Sequence, residues 1–218
     1  MFKAVIFDLD GTLVYTEPAY RLKTVGSTIQ ELGVKPKVDT ETFVDKFWFE
    51  ENRDEIIDKY LGVDPKFFWE VFRKYDLPEV RRKFTKPYED VGIICELKDS
   101  GYKTGIVTGS PEHIARMELE LLGGENFDVI IIANLEVNRI RPKPDPHGIE
   151  LCLDRLGVPF ASSVYVDNSI GGILAAREAN VYDVMIDRKE YCCKSEVKPR
   201  MVIESLNDLK SILKLADR

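Results

Sequence analysis

Five short apolar runs, at residues 3–8, 102–108, 128–133, 163–167 and 182–187, alternate with helical patterns along the chain. No other feature limits the fold as much. Each run is too short for a helix and reads as a near-continuous hydrophobic strand, the pattern of strands buried on both faces. Helical signals fill the gaps. Residues 88–100 are amphipathic and stop at Gly101, a residue suited to a left-handed cap. Ser110-Pro111 offers a capping hydroxyl and a first-turn proline to the next helix. Residues 146–156 close at Gly157, and 173–180 are alanine-rich. Ser205-Leu206-Asn207-Asp208 has the form of a capping box ahead of Leu209, Ile212 and Leu213. Strand–helix alternation predicts an α/β fold, a parallel sheet with helices on both faces.

From about residue 16 to 87 the rhythm stops and only helical periods remain. Leu22, Val25, Ile29 and Leu32 form one stripe ending at Gly33; Asp64-Pro65 opens a helix carrying Phe68, Val71, Phe72 and Tyr75. Residues 43–75 hold ten of the 22 aromatics and both tryptophans. A small helical unit buries little surface, so bulky rings are an efficient way to give it a core. The expected organisation is a sheet-based core at 1–15 and 88–218 with a helical insert at 16–87.

Net charge is −7, with 32% charged residues, which argues against a general nucleic-acid partner because phosphate backbones need clustered Lys and Arg. Arg81-Arg82-Lys83 reads as a solvated face. No apolar segment is long enough to span a bilayer, and the start runs directly into a strand with no signal-peptide layout. A cytoplasmic setting with no membrane partner is expected; the pattern fixes no oligomeric state. The spacing of Cys95, Cys152, Cys192 and Cys193 matches no common zinc site. Cys95 and Cys152 are expected in the core, and the vicinal pair is read as ordinary structure.

Chemistry concentrates at strand ends. Asp8-Leu9-Asp10-Gly11-Thr12-Leu13 follows the first run. Residues two apart in an extended chain point the same way, so Asp8 and Asp10 can face one pocket. Such a pair suits nucleophile-plus-acid chemistry, a hard cation, or both; a polar turn is the bland alternative. Thr108-Gly109-Ser110 offers a hydroxyl and backbone N–H groups to an anion, or a simple helix cap. Arg141-Pro142-Lys143-Pro144-Asp145-Pro146 holds Lys143 in a stiff segment where its ammonium could offset phosphate charge. Val164-Tyr165-Val166-Asp167-Asn168-Ser169 adds oxygen ligands. Sites in open α/β sheets form outside the carboxyl ends of strands, where all four segments fall.

In order and spacing these segments resemble the four motifs of the haloacid dehalogenase superfamily of phosphohydrolases, over nearly the whole chain. The resemblance implies a Rossmann-like, doubly wound core with sheet order 5-4-1-2-3 and identifies the insert with the C1 cap of phosphoglycolate phosphatase-like members. It implies that Asp8 is the nucleophile and forms an aspartyl-phosphate, and that Asp10 is the general acid and then base. Gly11, Thr108, Gly109 and Lys143 would bind phosphate. Mg²⁺ would lie on Asp8, Asp10 and Asn168, with Asp167 a further candidate, and the substrate would be a small phosphorylated metabolite. The position of the insert leads to the expectation of a cap that opens and closes on hinges near 13–16 and 85–88. The fourth motif departs from the pattern: relatives carry Gly-Asp-Ser and a later Asp, where this chain has Asp167, Asn168, Ser169 and Gly172. Tyr15 also stands where many relatives have Asp. His113, just after the second motif, reads as a surface residue. The core motifs fit a phosphosugar mutase equally well. A metal-free 2-haloacid dehalogenase would lack Asp10, and a degenerate binding protein finds support only in Asn168 and Gly172.

Overall fold

The computed structural model describes residues 1–50, 52–123, 126–191 and 196–213; the Cys192-Cys193 pair lies outside them. The chain divides into two compact units, one of Met1–Tyr15 with Lys86 onward, the other Thr16–Thr85. It passes between them within two short paired strands, which follow the first core strand in the numbering used here. These are β2 (Val14–Thr16) and β3 (Thr85–Pro87), after β1 (Ala4–Phe7).

The second unit is helical: α1 (Pro18–Leu32), α2 (Thr40–Phe49), α3 (Arg53–Leu61), α4 (Pro65–Tyr75) and the single turn α5 (Pro78–Arg81). Asp39 and Asp64 cap α2 and α4, accepting from the N–H groups of Thr42 and Lys66. The rings of Phe43, Phe47, Phe68 and Phe72 are buried in its core, with centroids of neighbouring pairs 5.1 to 6.4 Å apart. The stripe expected on α1 is displaced: Leu22 is exposed, and Tyr20, Thr24 and Thr28 are buried beside Val25 and Ile29. Their polar atoms are satisfied within the unit. Tyr20 donates to Asp76 Oδ1 (3.0 Å) and Thr28 to the Thr24 carbonyl (2.9 Å), so the face need not be apolar. Arg81 also departs from the solvated face expected of it. It is buried, paired with Asp76 and stacked 5.0 Å from the Trp48 ring.

In the first unit, α6 (Ile93–Asp99), β4 (Lys103–Thr108), α7 (Glu112–Leu122), β5 (Val129–Ile132), α8 (Leu135–Asn138) and α9 (His147–Leu156) follow in turn. They are succeeded by β6 (Ser163–Asp167), α10 (Ile170–Glu178), β7 (Tyr182–Ile186), β8 (Met201–Ile203) and α11 (Leu209–Leu213). The sheet is parallel, in the order β5-β4-β1-β6-β7-β8. The five expected strands take the expected 5-4-1-2-3 order, a Rossmann-like α/β sheet. β8 is an addition at the edge. Its three residues are apolar, but the run is too short to read as a strand, and two of them are exposed. Central β1 and β6 are buried along their whole length, whereas edge strand β5 is mostly half-buried, not covered on both faces.

Helix boundaries moved where side chains found other partners. α6 begins at Ile93, not residue 88, because Asp90 is bonded to Arg188 and to the Leu206 N–H. Pro111, not Ser110, occupies the N-cap of α7, and the Ser110 N–H donates to Thr108 Oγ1 (3.1 Å). Ser169 caps α10, accepting from the Gly172 N–H (3.1 Å), so that helix starts earlier than its alanines suggest. The Ser205–Asp208 capping box is present, opening a short 3₁₀ turn that leads into α11. Cys152 is in the core, but Cys95 is exposed on α6. Among the described residues no helix is long and apolar enough to cross a membrane.

Candidate active site

The register of the sheet determines which side chains meet. Phe7 lies beside Ile106 on β4 and Val166 on β6, so Asp8 comes level with Asp167 and one residue short of Thr108 at the carboxyl ends of three adjacent strands. Asp8 leaves β1 there, its N–H still bonded to the Val166 carbonyl (2.9 Å). Thr108 ends β4 and Asp167 ends β6; all three are buried.

Lys143 joins two of these strand ends. Its Nζ donates to Asp8 Oδ1 at 2.6 Å and to Asp167 Oδ2 at 2.7 Å. The peptide bond to Pro144 is cis. Asp167 has further partners: Oδ2 also accepts from the Tyr165 hydroxyl (2.9 Å) and Oδ1 from the Ser169 N–H (2.7 Å). Burial pushes the Asp8 carboxyl up to about 7, against the opposing pull of the Lys143 ammonium. For Lys143 burial acts downward, but the Asp167 and Asp8 carboxylates outweigh it and hold the ammonium above its ordinary range. Two buried carboxylates thus share one cation.

The loop after β1 is tightly folded. The Gly11 N–H donates to the Val14 carbonyl (2.7 Å), so that amide is engaged inside the loop. Gly11 has φ +82°, and a Cβ there would come within 2.3 Å of Asn168 Nδ2, so glycine makes room for Asn168. Thr12 Oγ1 donates to Asn168 Oδ1 and accepts from the Asn168 N–H, both at 3.2 Å. Asp10 is half-buried in the same loop. Gly109 is exposed just past β4, and His113 lies on the surface of α7.

One contributor was not read from the sequence. Arg188, just past β7, donates to the Thr12 carbonyl through Nη2 (2.6 Å) and Nε (3.2 Å). It also grips Asp90 with Nη1 (2.7 Å) and Nη2 (3.0 Å) and lies 3.8 Å from the centre of the Tyr88 ring. Asp90 in turn accepts from Ser205 Oγ and the Leu206 N–H. This network fixes the backbone of the β1 loop from behind. The available signal was a basic residue after the strand-ending Asp187, the counterpart of the positions already singled out on other strands.

Among the described residues no group of three or more His, Cys, Asp or Glu side chains is arranged to hold a metal. The oxygen donors that the β1 loop and the end of β6 offer are instead mixed: the Asp8 carboxylate, the Asp10 backbone and the Asn168 amide, whose oxygen accepts from Thr12. That set suits a hard cation such as Mg²⁺, which takes one or two carboxylates and completes its shell with water and phosphate oxygens. Charge points the same way. Asp8 and Asp167 against Lys143 leave a net negative site, which a phosphate dianion enters only with further positive charge.

A model of haloacid dehalogenase-like hydrolases matches residues 5–186. A putative pyrophosphatase PpaX of Caldanaerobacter subterraneus is 28% identical, covering 98% of this chain and 96% of its own. A phosphoglycolate phosphatase of Xanthomonas campestris is also 28% identical, over 84% of this chain and 81% of its own. A crystal structure of a HAD phosphatase from Thermococcus onnurineus superposes with a TM-score of 0.71 at 27% identity, covering 97% of this chain and 98% of that one. The matched span contains Asp8, Asp10, Thr108, Lys143, Asp167 and Asn168, and the chain belongs to the haloacid dehalogenase-like hydrolase family.

Proposed function

We propose that this protein is a Mg²⁺-dependent phosphatase that hydrolyses a small phosphate monoester through a phosphoryl group carried on Asp8. The observation that carries this reading is the buried Asp8 carboxylate, 2.6 Å from the Lys143 ammonium at the carboxyl edge of a parallel sheet. Both named relatives act, by their names, on small phosphorylated compounds.

In this scheme an Asp8 oxygen attacks phosphorus and the ester P–O bond breaks. Asp10, as the acid, gives its proton to the departing oxygen. The Asp10 carboxylate then takes a proton from the water that attacks phosphorus, and the P–O bond to Asp8 breaks, releasing phosphate. The covalent step replaces one hard displacement with two easier ones, and the change of role at Asp10 is general acid–base logic. Thr108 and Gly109 hold phosphoryl oxygens; Lys143 neutralises charge as it develops. Gly11 contributes space, since its N–H is already bonded. Asp8, the Asp10 carbonyl and Asn168 would hold Mg²⁺, which supplies the positive charge the site lacks. Asp167, which accepts from Lys143, Tyr165 and the Ser169 N–H, is assigned first to Lys143 and stays a further candidate for the metal.

Phosphate release from p-nitrophenyl phosphate across a Mg²⁺ titration tests the reading. Wild type is expected to turn over only with the metal. Asn168→Asp adds a negative ligand and should lower the Mg²⁺ concentration for half-maximal rate about tenfold. An unchanged titration curve in the variant would take the metal away from residue 168. Metal-free chloride release from a chloroacid, without phosphatase activity, would replace the assignment altogether.

A further inference from the structure

Thr12 is a junction in the β1 loop. Its carbonyl accepts from Arg188 Nη2 (2.6 Å) and Nε (3.2 Å), and its hydroxyl holds both Oδ1 and the N–H of Asn168. The next carbonyl, that of Leu13, accepts from the Tyr88 N–H (3.0 Å), and the Tyr88 ring lies against the Arg188 guanidinium. Within the turn, the Leu13 and Val14 N–H groups donate to the Leu9 carbonyl (2.9 and 3.2 Å), and the Gly11 N–H donates to the Val14 carbonyl (2.7 Å). Leu9 and Gly11 flank Asp10. A shift at Thr12 therefore passes to Asp10 through hydrogen bonds on both of its neighbours.

Stability alone is a weak reason for Arg188. Its side chain and that of Asp90 are only 8% and 12% exposed, and desolvation offsets much of the attraction in a buried ion pair. Geometry is what the pair supplies. Asp90 takes the guanidinium through two bonds, at 2.7 and 3.0 Å, which fix its plane, and is itself held by Ser205 Oγ and the Leu206 N–H. We infer that Arg188 is a positioning residue of the reaction. Braced by Asp90, it acts through the Thr12 carbonyl to set where Asp10 stands against the departing oxygen, and through the Thr12 hydroxyl to hold Asn168. The segment after β8 thus reaches the β1 loop through Asp90 and Arg188. The role of Asp10 in turnover rests on the phosphatase reading; the bracing of the loop does not.

Two measurements test this on Arg188→Gln, which removes the charge, and Arg188→Lys, which keeps a cation beside Asp90 but not the planar fork. In amide hydrogen exchange on the whole protein, the Leu13, Val14 and Asn168 N–H groups should exchange at least about tenfold faster in both variants, while those of β1 keep their protection. In turnover with Mg²⁺, phenyl phosphate needs the Asp10 proton on its leaving oxygen as the bond from Asp8 to phosphorus forms and the ester P–O bond breaks; p-nitrophenolate departs without it. In both variants kcat/KM should therefore fall about tenfold more for phenyl phosphate than for p-nitrophenyl phosphate. A mere loss of folded protein would scale both rates alike. Should Arg188→Gln fail to fold, Arg188→Lys carries both measurements. The proposal is overturned if the loop amides exchange as in wild type, or if the two esters lose kcat/KM equally. Should wild type turn over neither ester, the phosphatase reading fails, while hydrogen exchange still decides the bracing.

Discussion

Asp8→Asn is expected to remove phosphate release, lowering turnover by at least about 10³-fold, with the fold retained. The amide has the shape of the carboxylate but is a poor nucleophile toward phosphorus. Lys143 keeps Asp167 as its partner, so the substitution leaves no buried ammonium alone. Burial pushes the Asp8 carboxyl up to about 7 from an ordinary value near 4. A carboxyl raised on folding contributes stability that is complete below its unfolded value and is lost as pH rises through its folded one. The destabilising ionisation of Asp8 therefore spans about pH 4 to 7, and Asn at this position should flatten stability across that window. Initial rates and Tm at several pH values measure both effects. A variant within tenfold of the wild-type rate would contradict the assignment.

Lys143→Met should have the second-largest effect, and it separates charge from packing. Methionine fills much of the stem's volume but leaves Asp8 and Asp167 as two buried carboxylates without their shared cation. Removing one partner of a buried ion pair costs about 3–5 kcal/mol when the remaining charge cannot be solvated. Here protonation of Asp8 offers a way out, so the loss should be small near pH 5 and grow as pH rises through the range in which Asp8 ionises. Turnover should fall about 10²- to 10³-fold at any pH where the variant is folded, because the charge that opposes the phosphoryl oxygens is gone. Denaturant titrations at pH 5 and pH 8 check the first expectation. Equal losses at the two pH values would mean that Lys143 does not hold the charge balance of the site.

Much of this site was legible because strand ends announce themselves. A run buried on both faces has one hydrophobic pattern, and the residues just past it must turn. Asp8, Thr108 and Asp167 were found that way, and Lys143 was singled out by the prolines around it. The sheet order followed from resemblance and agrees with the pairing observed. What could not be read depended on contacts remote in sequence. The exposed face of β8 gives no periodic signal. The polar buried face of α1 defeats a reading based on apolar spacing, because Tyr20 finds its partner 56 residues away at Asp76. Arg188 reaches Thr12 across 176 residues, a span over which sequence alone marks neither end.

The central claim is that a phosphoryl group is carried on Asp8, and chemical trapping tests it most directly. Borohydride added during turnover with Mg²⁺ and p-nitrophenyl phosphate reduces an acyl phosphate to an alcohol. Peptide mass spectrometry should then find homoserine at position 8, absent without substrate and absent from Asp8→Asn. Reduction at a different carboxylate, or none at any residue while phosphate is being released, would contradict the account.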